Sequence, residues 1–219
     1  MPGRLFLLTL GFHENFALRR LTGHGATRGD GVLAVTLKPL HGGAKSAFQA
    51  LSMFASRMGV EDISVLEVEP EDLGSASYMI AEALIKASGE RGYSSIIADL
   101  TGGPRFIVVS TLISLIVVSH RLNVDIYVQS DTGGEWEHRM PGKVIEALMA
   151  VPSSDKLKLL KAIVAKPGST PSELSYNLGI SQKTVLNYAS QLKKQGLIVQ
   201  KGRGAGYYPT PWGMLISLV

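Results

Sequence analysis

The stretch YSSIIADLTGGPRFIVVSTLISLIVVS, residues 93–119, decides the fold of this 219-residue chain. It predicts a short apolar strand, a turn over 99–105 and a long apolar helix over 105–119. A strand that breaks at paired glycines and enters a helix leaves free backbone N–H groups at the positive end of the helix dipole. Pro104 fits the first helical position, where a missing N–H costs nothing, and Arg105 adds a fixed positive charge. The turn therefore predicts a receptor for a phosphate-bearing ligand.

The first 140 residues alternate apolar strands with helical stretches. Strands are predicted over 5–10, 31–37, 63–68, 94–98 and 124–129, and helices over 15–22, 44–58, 73–88 and 105–119. This order predicts an α/β fold, with an N-terminal Rossmann-like, mostly parallel sheet, helices on both faces and right-handed crossovers. Residues 134–139 are predicted to add a terminal hairpin strand.

In such sheets, ligands bind at the carboxyl ends of the strands. Two loops meet that description, 11–15 after the first strand and 99–105 after the fourth. His13 is a candidate general base, a hydrogen-bond donor to a ligand or a plain loop histidine, while Asn15 either binds or begins the helix. The loop 38–43 completes the pocket or simply opens the next helix at its two glycines.

Beyond residue 141 the pattern changes. Helices are predicted over 155–165, 172–178, 182–195 and 211–218, and short strands over 197–200 and 207–209. Two helices joined by a glycine-containing turn and followed by a hairpin are typical of a winged helix-turn-helix. We therefore expect a ligand-sensing domain over 1–140, a linker over 141–152 and a winged helix-turn-helix domain over 153–219.

Charge is divided unevenly between these regions. Residues 151–219 hold nine Lys or Arg and two acids, whereas the whole chain has a net charge of +4, so the first 150 residues are mildly acidic. A basic module on an acidic body predicts nucleic acid as the partner of that module. The alternatives are a solvated basic surface, or a winged helix used only for protein contacts.

Candidate DNA contacts lie on the solvent side of the predicted second helix and in the wing. They are Ser181, Gln182, Lys183, Thr184, Asn187, Lys201 and Arg203. Lys183 and Thr184 suit phosphate anchoring, and Asn187 suits readout of adenine. In the wing, Lys201 and Arg203 stand among glycines that allow a close approach to the DNA backbone.

Composition excludes several other functions. The chain has no cysteine, which excludes disulfides, thiolate metal sites and a cysteine nucleophile, and its five histidines do not pair at ligand spacing. Asp99 is a candidate Mg²⁺ ligand or a capping residue. The apolar run 106–118 is shorter than the roughly 20 residues of a bilayer span and is interpreted as a buried core helix. With no signal-peptide pattern at the N-terminus, we expect a cytoplasmic protein without a membrane partner, cofactor or metal.

The turn 99–105 resembles the D-x-T-G-G-[TS]-[KR] signature of CARF domains, the sensors of cyclic oligoadenylate in CRISPR defence. Pro104 stands where Thr or Ser is usual, and Arg105 where Lys is commoner. The stretch TLGFHEN, residues 9–15, is similar to the other ligand loop of that fold. A CARF domain followed by a winged helix resembles the archaeal Csa-three transcription regulators of type I-A CRISPR systems.

This resemblance implies a homodimeric, non-enzymatic transcription regulator that binds palindromic double-stranded promoter DNA. Its effector would be a cyclic oligoadenylate, cyclic tetra-adenylate above all, held across the two-fold axis. The implied ligand residues are Gly11, Phe12, His13, Asn15, Thr101, Gly102, Gly103, Pro104 and Arg105. Two alternatives stay open: a ring nuclease that degrades the ligand, and a ligand-independent regulator, for which Pro104 is the main argument.

Overall fold

A computed structural model describes residues 3–130, 137–150, 152–202 and 205–218 of the chain. The chain divides into two compact units, Met1–Gly142 and Lys143–Val219. Helix α5, Gly142–Met149, occupies most of the segment that the sequence analysis assigns to a linker. The exact domain boundaries stay a prediction.

The first unit is an α/β sheet structure. Its elements in chain order are β1 (Arg4–Thr9), α1 (Asn15–Gly23), β2 (Gly31–Leu37), α2 (Gly42–Arg57), β3 (Asp62–Val68), α3 (Leu73–Arg91), β4 (Ser95–Asp99), α4 (Arg105–Val118), β5 (Asn123–Gln129) and β6 (Glu137–Pro141). The strands form one sheet in the order β3-β2-β1-β4-β5-β6, parallel except for β6, which pairs antiparallel with β5. The predicted α/β fold is confirmed. Of the predicted hairpin strand over 134–139, residues 134–136 lie outside the described residues.

Helices cover both faces of this sheet. The core of one face is built by α1, α2 and the strands beneath them, and its members include Ala17, Leu21, Ala47, Leu51, Ala55, Phe6, Leu8, Val32 and Ala34. Helices α3 and α4 cover the opposite face and pack against each other. The strand order reverses between β1 and β4, so the crevice at the carboxyl ends of these two strands is the expected ligand position.

Helix α4 buries hydroxyl as well as apolar side chains on its inward side and exposes a row of branched apolar ones, unlike an ordinary surface helix, whose outward side is polar. Ser110, Thr111 and Ser114 are buried. The Ser114 hydroxyl lies 2.7 Å from the carbonyl oxygen of Ser77 on α3 and 2.7 Å from that of Ser110. The outward side presents three apolar residues spaced four apart, Val109, Ile113 and Val117, which we name the α4 stripe. The prediction of a buried core helix is confirmed for the side of α4 that buries Ile107, Leu115 and Val118, and it is wrong for the side that carries the α4 stripe.

The second unit is a winged helix with its own core. Its elements are α5 (Gly142–Met149), α6 (Ser154–Ala165), α7 (Pro171–Leu178), α8 (Gln182–Lys194), β7 (Ile198–Gln200), β8 (Tyr207–Pro209) and α9 (Pro211–Ile216). The predicted apolar side of α8 packs into this core, with Val185, Ala189 and Leu192 buried and Tyr188 partly buried. Among the described residues, none of the helices combines the length and the apolar character that a bilayer crossing requires.

Candidate functional site

A cleft of about 440 Å³ opens at the carboxyl ends of β1, β2 and β4, beside the switch point of the sheet. It is lined by Gly11, Phe12, His13, Phe16, Thr36, Leu37, Pro39, His41, Ala44, Thr101, Gly102, Gly103 and Pro104. Its volume is within the range of small-molecule sites. The two glycine-containing loops singled out from the sequence therefore share one cleft.

The loops after β1 and β4 meet backbone to backbone. A Cβ atom on Gly11 would lie 3.1 Å from the Cα and N of Gly103, and one on Gly102 would lie 2.8 Å from the carbonyl oxygen of Thr9. Gly103 also has a φ of +89°, a conformation that side-chain-bearing residues rarely adopt. These glycines allow the backbones of both loops to approach each other at the rim of the cleft.

Threonine hydroxyls hold the turn after β4 in place. The Thr9 hydroxyl donates to the carbonyl oxygen of Gly102 at 2.6 Å and lies 3.2 Å from that of Asp99. The Thr101 hydroxyl accepts from the backbone N–H of Gln129 at 2.7 Å. The turn is thus fastened to β1 on one side and to β5 on the other.

Asp99 is a structural residue and not an exposed ligand. Its Oδ2 accepts from Arg20 Nε at 2.9 Å and from Gln129 Nε2 at 2.6 Å, and its Oδ1 accepts from the backbone N–H of Thr101 at 2.9 Å. The side chains of Asp99 and Arg20 are 3% and 2% exposed. Of the two roles considered for Asp99, the capping role fits this geometry and the Mg²⁺ role does not.

Arg20 extends this pair toward strand β6. Its Nη1 lies 2.9 Å from Glu137 Oε2 and 3.2 Å from His24 Nε2, and its guanidinium carbon lies 3.9 Å from the centre of the Tyr127 ring. Burial and the positive charge of Arg20 lower the pKa of His24, so the neutral imidazole accepts the hydrogen bond from Arg20. Arg20 therefore connects α1, β4 and β6 through charged and polar contacts.

The structure separates the predicted ligand residues into two groups. Seven of the nine line the cleft: Gly11, Phe12, His13, Thr101, Gly102, Gly103 and Pro104. Asn15 is exposed as the first residue of α1 and does not line the cleft. Arg105 also lies outside the cleft, four residues before Val109 on the side of α4 that carries the stripe. Pro104 is the N-cap with extended backbone and not the first helical residue, which is Arg105.

Four lining residues were missed by the sequence analysis, namely Phe16, Thr36, Leu37 and Ala44. Thr36 and Leu37 are the last residues of β2, so the rule that ligands bind at strand ends was the signal that pointed to them. The loop 38–43 has both roles considered for it, since it completes the pocket and also begins the next helix. Pro39 and His41 line the cleft, and the two glycines of the loop begin α2.

Two of the predicted DNA contacts, Ser181 and Thr184, form the N-terminal cap of α8. The Ser181 hydroxyl accepts from the backbone N–H of Thr184 at 3.1 Å and lies 2.8 Å from the Thr184 hydroxyl. Gln182 Nε2 lies 3.3 Å from the Ser172 hydroxyl on α7. These contacts fix the start of α8 against α7, as the turn of a helix-turn-helix requires.

Two further predicted DNA contacts, Lys183 and Asn187, lie on the exposed side of α8. Lys183 and Asn187 are exposed, and Lys183 forms no ion pair with any described residue. Asn187 Oδ1 accepts from Gln191 Nε2 at 3.3 Å. Leu186, which the sequence analysis did not single out, is also exposed and offers an apolar contact of the kind that thymine methyl groups accept.

Of the two DNA contacts predicted in the wing, Lys201 lies among the described residues. Lys201 follows β7, is exposed, and has its Nζ 4.8 Å from the centre of the Tyr208 ring on β8. Gln200 Nε2 donates to the carbonyl oxygen of Ala205 at 2.7 Å and closes the base of the wing. Arg203 lies outside the described residues, so its role stays a prediction.

Comparisons with known proteins cover nearly the whole chain. The profile of the Csa3 CRISPR-associated Rossmann-like domain matches residues 4–139, and a winged helix-turn-helix DNA-binding profile matches residues 156–199. The CRISPR locus-related protein Csa3 of Saccharolobus solfataricus is 31% identical over 198 residues, which are 90% of this chain and 81% of that protein.

One solved structure, Csm6, shows a likeness of fold. Csm6 of Enterococcus italicus, bound to cyclic hexa-2'-fluoro-hexa-dAMP, superposes with a TM-score of 0.51 at 11% identity, over 90% of this chain and 54% of Csm6. The protein VC1899 of Vibrio cholerae gives a TM-score of 0.44 at 12% identity, over 98% of this chain and 64% of that one. This chain spans about half the length of Csm6.

Proposed function

Because the chain belongs to the Csa3 family of CRISPR-associated proteins, we propose that it is a DNA-binding transcription regulator controlled by a cyclic oligoadenylate. One observation carries the proposal: a glycine-walled cleft at the switch point of a Rossmann-like sheet stands on the same chain as a basic winged helix. The cleft binds the effector, with cyclic tetra-adenylate as the proposed ring size. The winged helix binds double-stranded promoter DNA.

Phosphate chemistry supports an oligonucleotide as the effector. Gly11, Gly102 and Gly103 present backbone amides at the rim, and α4 points its N-terminus toward the same turn. Arg105 adds a positive charge outside the cleft, on an exposed position without an ion pair among the described residues. A ligand that joins several phosphates would contact both positions.

A homodimer follows from the α4 stripe. The α4 stripe consists of three exposed branched apolar residues on a helix with no charge after Arg105. Exposure of such an apolar surface to water is unfavourable. The neighbouring α3 adds Tyr78, Met79 and Ile85, which are also exposed. Glu82 and Lys86 of α3 lie among these residues and are exposed, so the uncharged part of the surface is the α4 stripe. A two-fold axis would place this stripe against the same stripe of a second copy of the chain. With the two-fold axis parallel to α4, the two Arg105 residues would lie at one end of the interface, where a symmetric ring ligand would contact both.

A charge placed in the α4 stripe tests the dimer. Val117→Glu is expected to convert the dimer to a monomer in sedimentation equilibrium at micromolar concentration, because each interface would bury two added carboxylates. Met53→Glu is the matched control, since Met53 is exposed on α2 of the opposite face. A parent protein that is monomeric, or a Val117→Glu variant that stays dimeric, contradicts this interface.

Charge removal on α8 tests the DNA interface. Lys183→Ala is expected to weaken binding to all DNA sequences alike and to reduce the slope of log affinity against log salt by about 1, the value of one phosphate contact. Asn187→Ala is expected to weaken only the preferred sequence, because it removes a base contact. Arg57→Ala, an exposed charge on α2, serves as control, and an equal effect of all three variants would exclude the α8 interface.

One titration tests the proposed function as a whole. Genomic fragments selected by the purified protein are titrated with it in the absence and presence of cyclic tetra-adenylate, and the nucleotide is then analysed for linear products. A change in DNA affinity with intact ligand supports the proposal. Unchanged affinity favours the ligand-independent regulator. Linear products favour the ring nuclease, for which His13 and His41 in the cleft are the available imidazoles.

A further inference from the structure

Two arginines of the first unit, Arg4 and Arg20, each contact an aspartate, but they use their guanidinium groups differently. Arg4 donates from Nε and Nη2 to the two oxygens of Asp30, at 3.1 and 2.7 Å. Arg20 donates to Asp99 from Nε alone, at 2.9 Å. Its Nη2, on the same edge of the guanidinium, is buried and has no hydrogen-bond partner among the described residues. The Arg20–Asp99 pair is thus half of the two-point contact that Arg4 completes.

The second oxygen of Asp99 explains the difference. Oδ1 accepts from the backbone N–H of Thr101 in the turn after β4, at 2.9 Å, while Oδ2 accepts from Arg20 and Gln129. A buried charged donor without an acceptor destabilises the arrangement that contains it. An arrangement in which Asp99 gives both oxygens to Arg20 would remove this cost, provided that the N–H of Thr101 has another acceptor.

A phosphate of the ligand is an acceptor that can replace Asp99 at this N–H. Thr101 lines the cleft, in the turn that we propose to bind phosphate. A phosphate oxygen carries a negative charge, so its hydrogen bond to a backbone N–H is of the same charge-assisted kind as that of a carboxylate. Binding of phosphate at the turn would therefore release Oδ1 of Asp99.

Arg20 connects this event to strand β6. Its Nη1 donates to Glu137 Oε2 at 2.9 Å. Glu137 is the first residue of β6, and the chain passes from the end of this strand directly into α5 at Gly142. Gln129, which donates to Asp99, lies opposite Glu137 in the β5–β6 pair. A movement of the Arg20 guanidinium would therefore act on the strand that leads into the second unit.

We propose that Arg20 is a positioning residue that couples occupancy of the cleft to strand β6. When a ligand phosphate takes the N–H of Thr101, Asp99 turns Oδ1 to the free Nη2 of Arg20, and the guanidinium moves toward Asp99 and away from Glu137. We name this exchange the Arg20 switch. It rests on the proposed function for the ligand and for DNA binding, and it adds the residue through which one affects the other. Coupling requires such an element with two arrangements, one of them favoured by the ligand.

Nuclear magnetic resonance of the ¹⁵N-labelled full chain gives the first arm of the test. Cyclic tetra-adenylate is expected to shift both the backbone amide signal of Thr101 and the guanidinium signals of Arg20. The guanidinium signals of Arg4 are the internal control and are expected to stay unchanged, because its two-point contact is already complete. A shift at Thr101 without one at Arg20, or equal shifts at Arg4 and Arg20, would overturn the switch and leave the proposed function standing.

DNA binding gives the second arm, with the variant Glu137→Gln. The Glu137 side chain is 50% exposed and does not line the cleft, so the fold and the affinity for cyclic tetra-adenylate are expected to be kept. The change in DNA affinity that the nucleotide causes is expected to shrink by about fivefold, because Arg20 no longer holds a charged partner on β6. Glu90→Gln, at an exposed position of α3, is the matched control and is expected to respond like the parent.

The outcomes separate the switch from the proposed function. A Glu137→Gln variant that responds to the nucleotide as the parent does would overturn the link to β6. Nucleotide binding that shifts the Arg20 signals but leaves the DNA affinity of the parent unchanged supports the exchange at Asp99 and overturns the proposed regulation. A parent protein that does not bind cyclic tetra-adenylate overturns both.

Discussion

Replacing Arg20 with methionine is expected to lower the free energy of unfolding of the first unit by about 3–5 kcal/mol. The guanidinium and the Asp99 carboxylate are both almost completely buried and lie 2.9 Å apart. Removal of the arginine leaves a buried carboxylate with only the amide of Gln129 and one backbone N–H as donors. Urea unfolding followed by far-UV circular dichroism, with the two units fitted separately, measures the loss.

Two further variants make this expectation specific. Arg19→Met removes an exposed arginine from the same helix and is expected to change the free energy of unfolding by less than about 0.5 kcal/mol. Adding Asp99→Asn to Arg20→Met is expected to recover part of the loss, because the buried charge is then absent. A loss below about 1 kcal/mol for Arg20→Met alone would contradict the role assigned to the pair.

Replacing Gly102 with valine is expected to weaken cyclic tetra-adenylate binding by about 100-fold or more, which corresponds to about 2.7 kcal/mol. The new Cβ would lie 2.8 Å from the carbonyl oxygen of Thr9, so the turn after β4 has to move away from β1. Movement also breaks the 2.6 Å hydrogen bond between Thr9 and Gly102. The amides that converge on phosphate are then displaced, and titration calorimetry with the nucleotide measures the effect.

Gly29→Val is the matched control, because it introduces the same side chain at a position where the new Cβ meets no neighbouring atom. Nothing lies within 4 Å of a Cβ built on Gly29, so ligand affinity is expected to match the parent. DNA binding without ligand is expected to survive in both variants, because the winged helix has a core of its own. Undiminished nucleotide affinity in Gly102→Val would show that the ligand does not use this turn.

The sequence was sufficient to predict the fold class and the position of the cleft, because both depend on local patterns. Alternating strands and helices predict the sheet, and glycines at strand ends mark where the loops approach each other. The winged helix is predicted for the same reason, since the Ser181 cap and the apolar positions of α8 lie close together in the sequence.

Long-range pairing explains what was missed. Arg20 and Asp99 are 79 residues apart, and nothing in the local sequence of α1 shows that Arg20 is buried while its neighbour Arg19 is exposed. The outward valines of α4 were assigned to the core because apolar residues occur on every side of that helix, so its periodicity does not reveal which side faces the sheet.

The Arg20–Asp99 pair also has an electrostatic consequence for the ligand. An acid at the start of a turn that we propose to bind phosphate would, unaccompanied, repel that anion. The guanidinium of Arg20, in direct contact with the Asp99 carboxylate, weakens this repulsion, since opposite charges this close act as a short dipole. Asp99 can therefore hold the turn through its hydrogen bonds without strongly repelling an anion at the rim. Without Arg20 beside it, the Asp99 carboxylate would repel an anionic ligand.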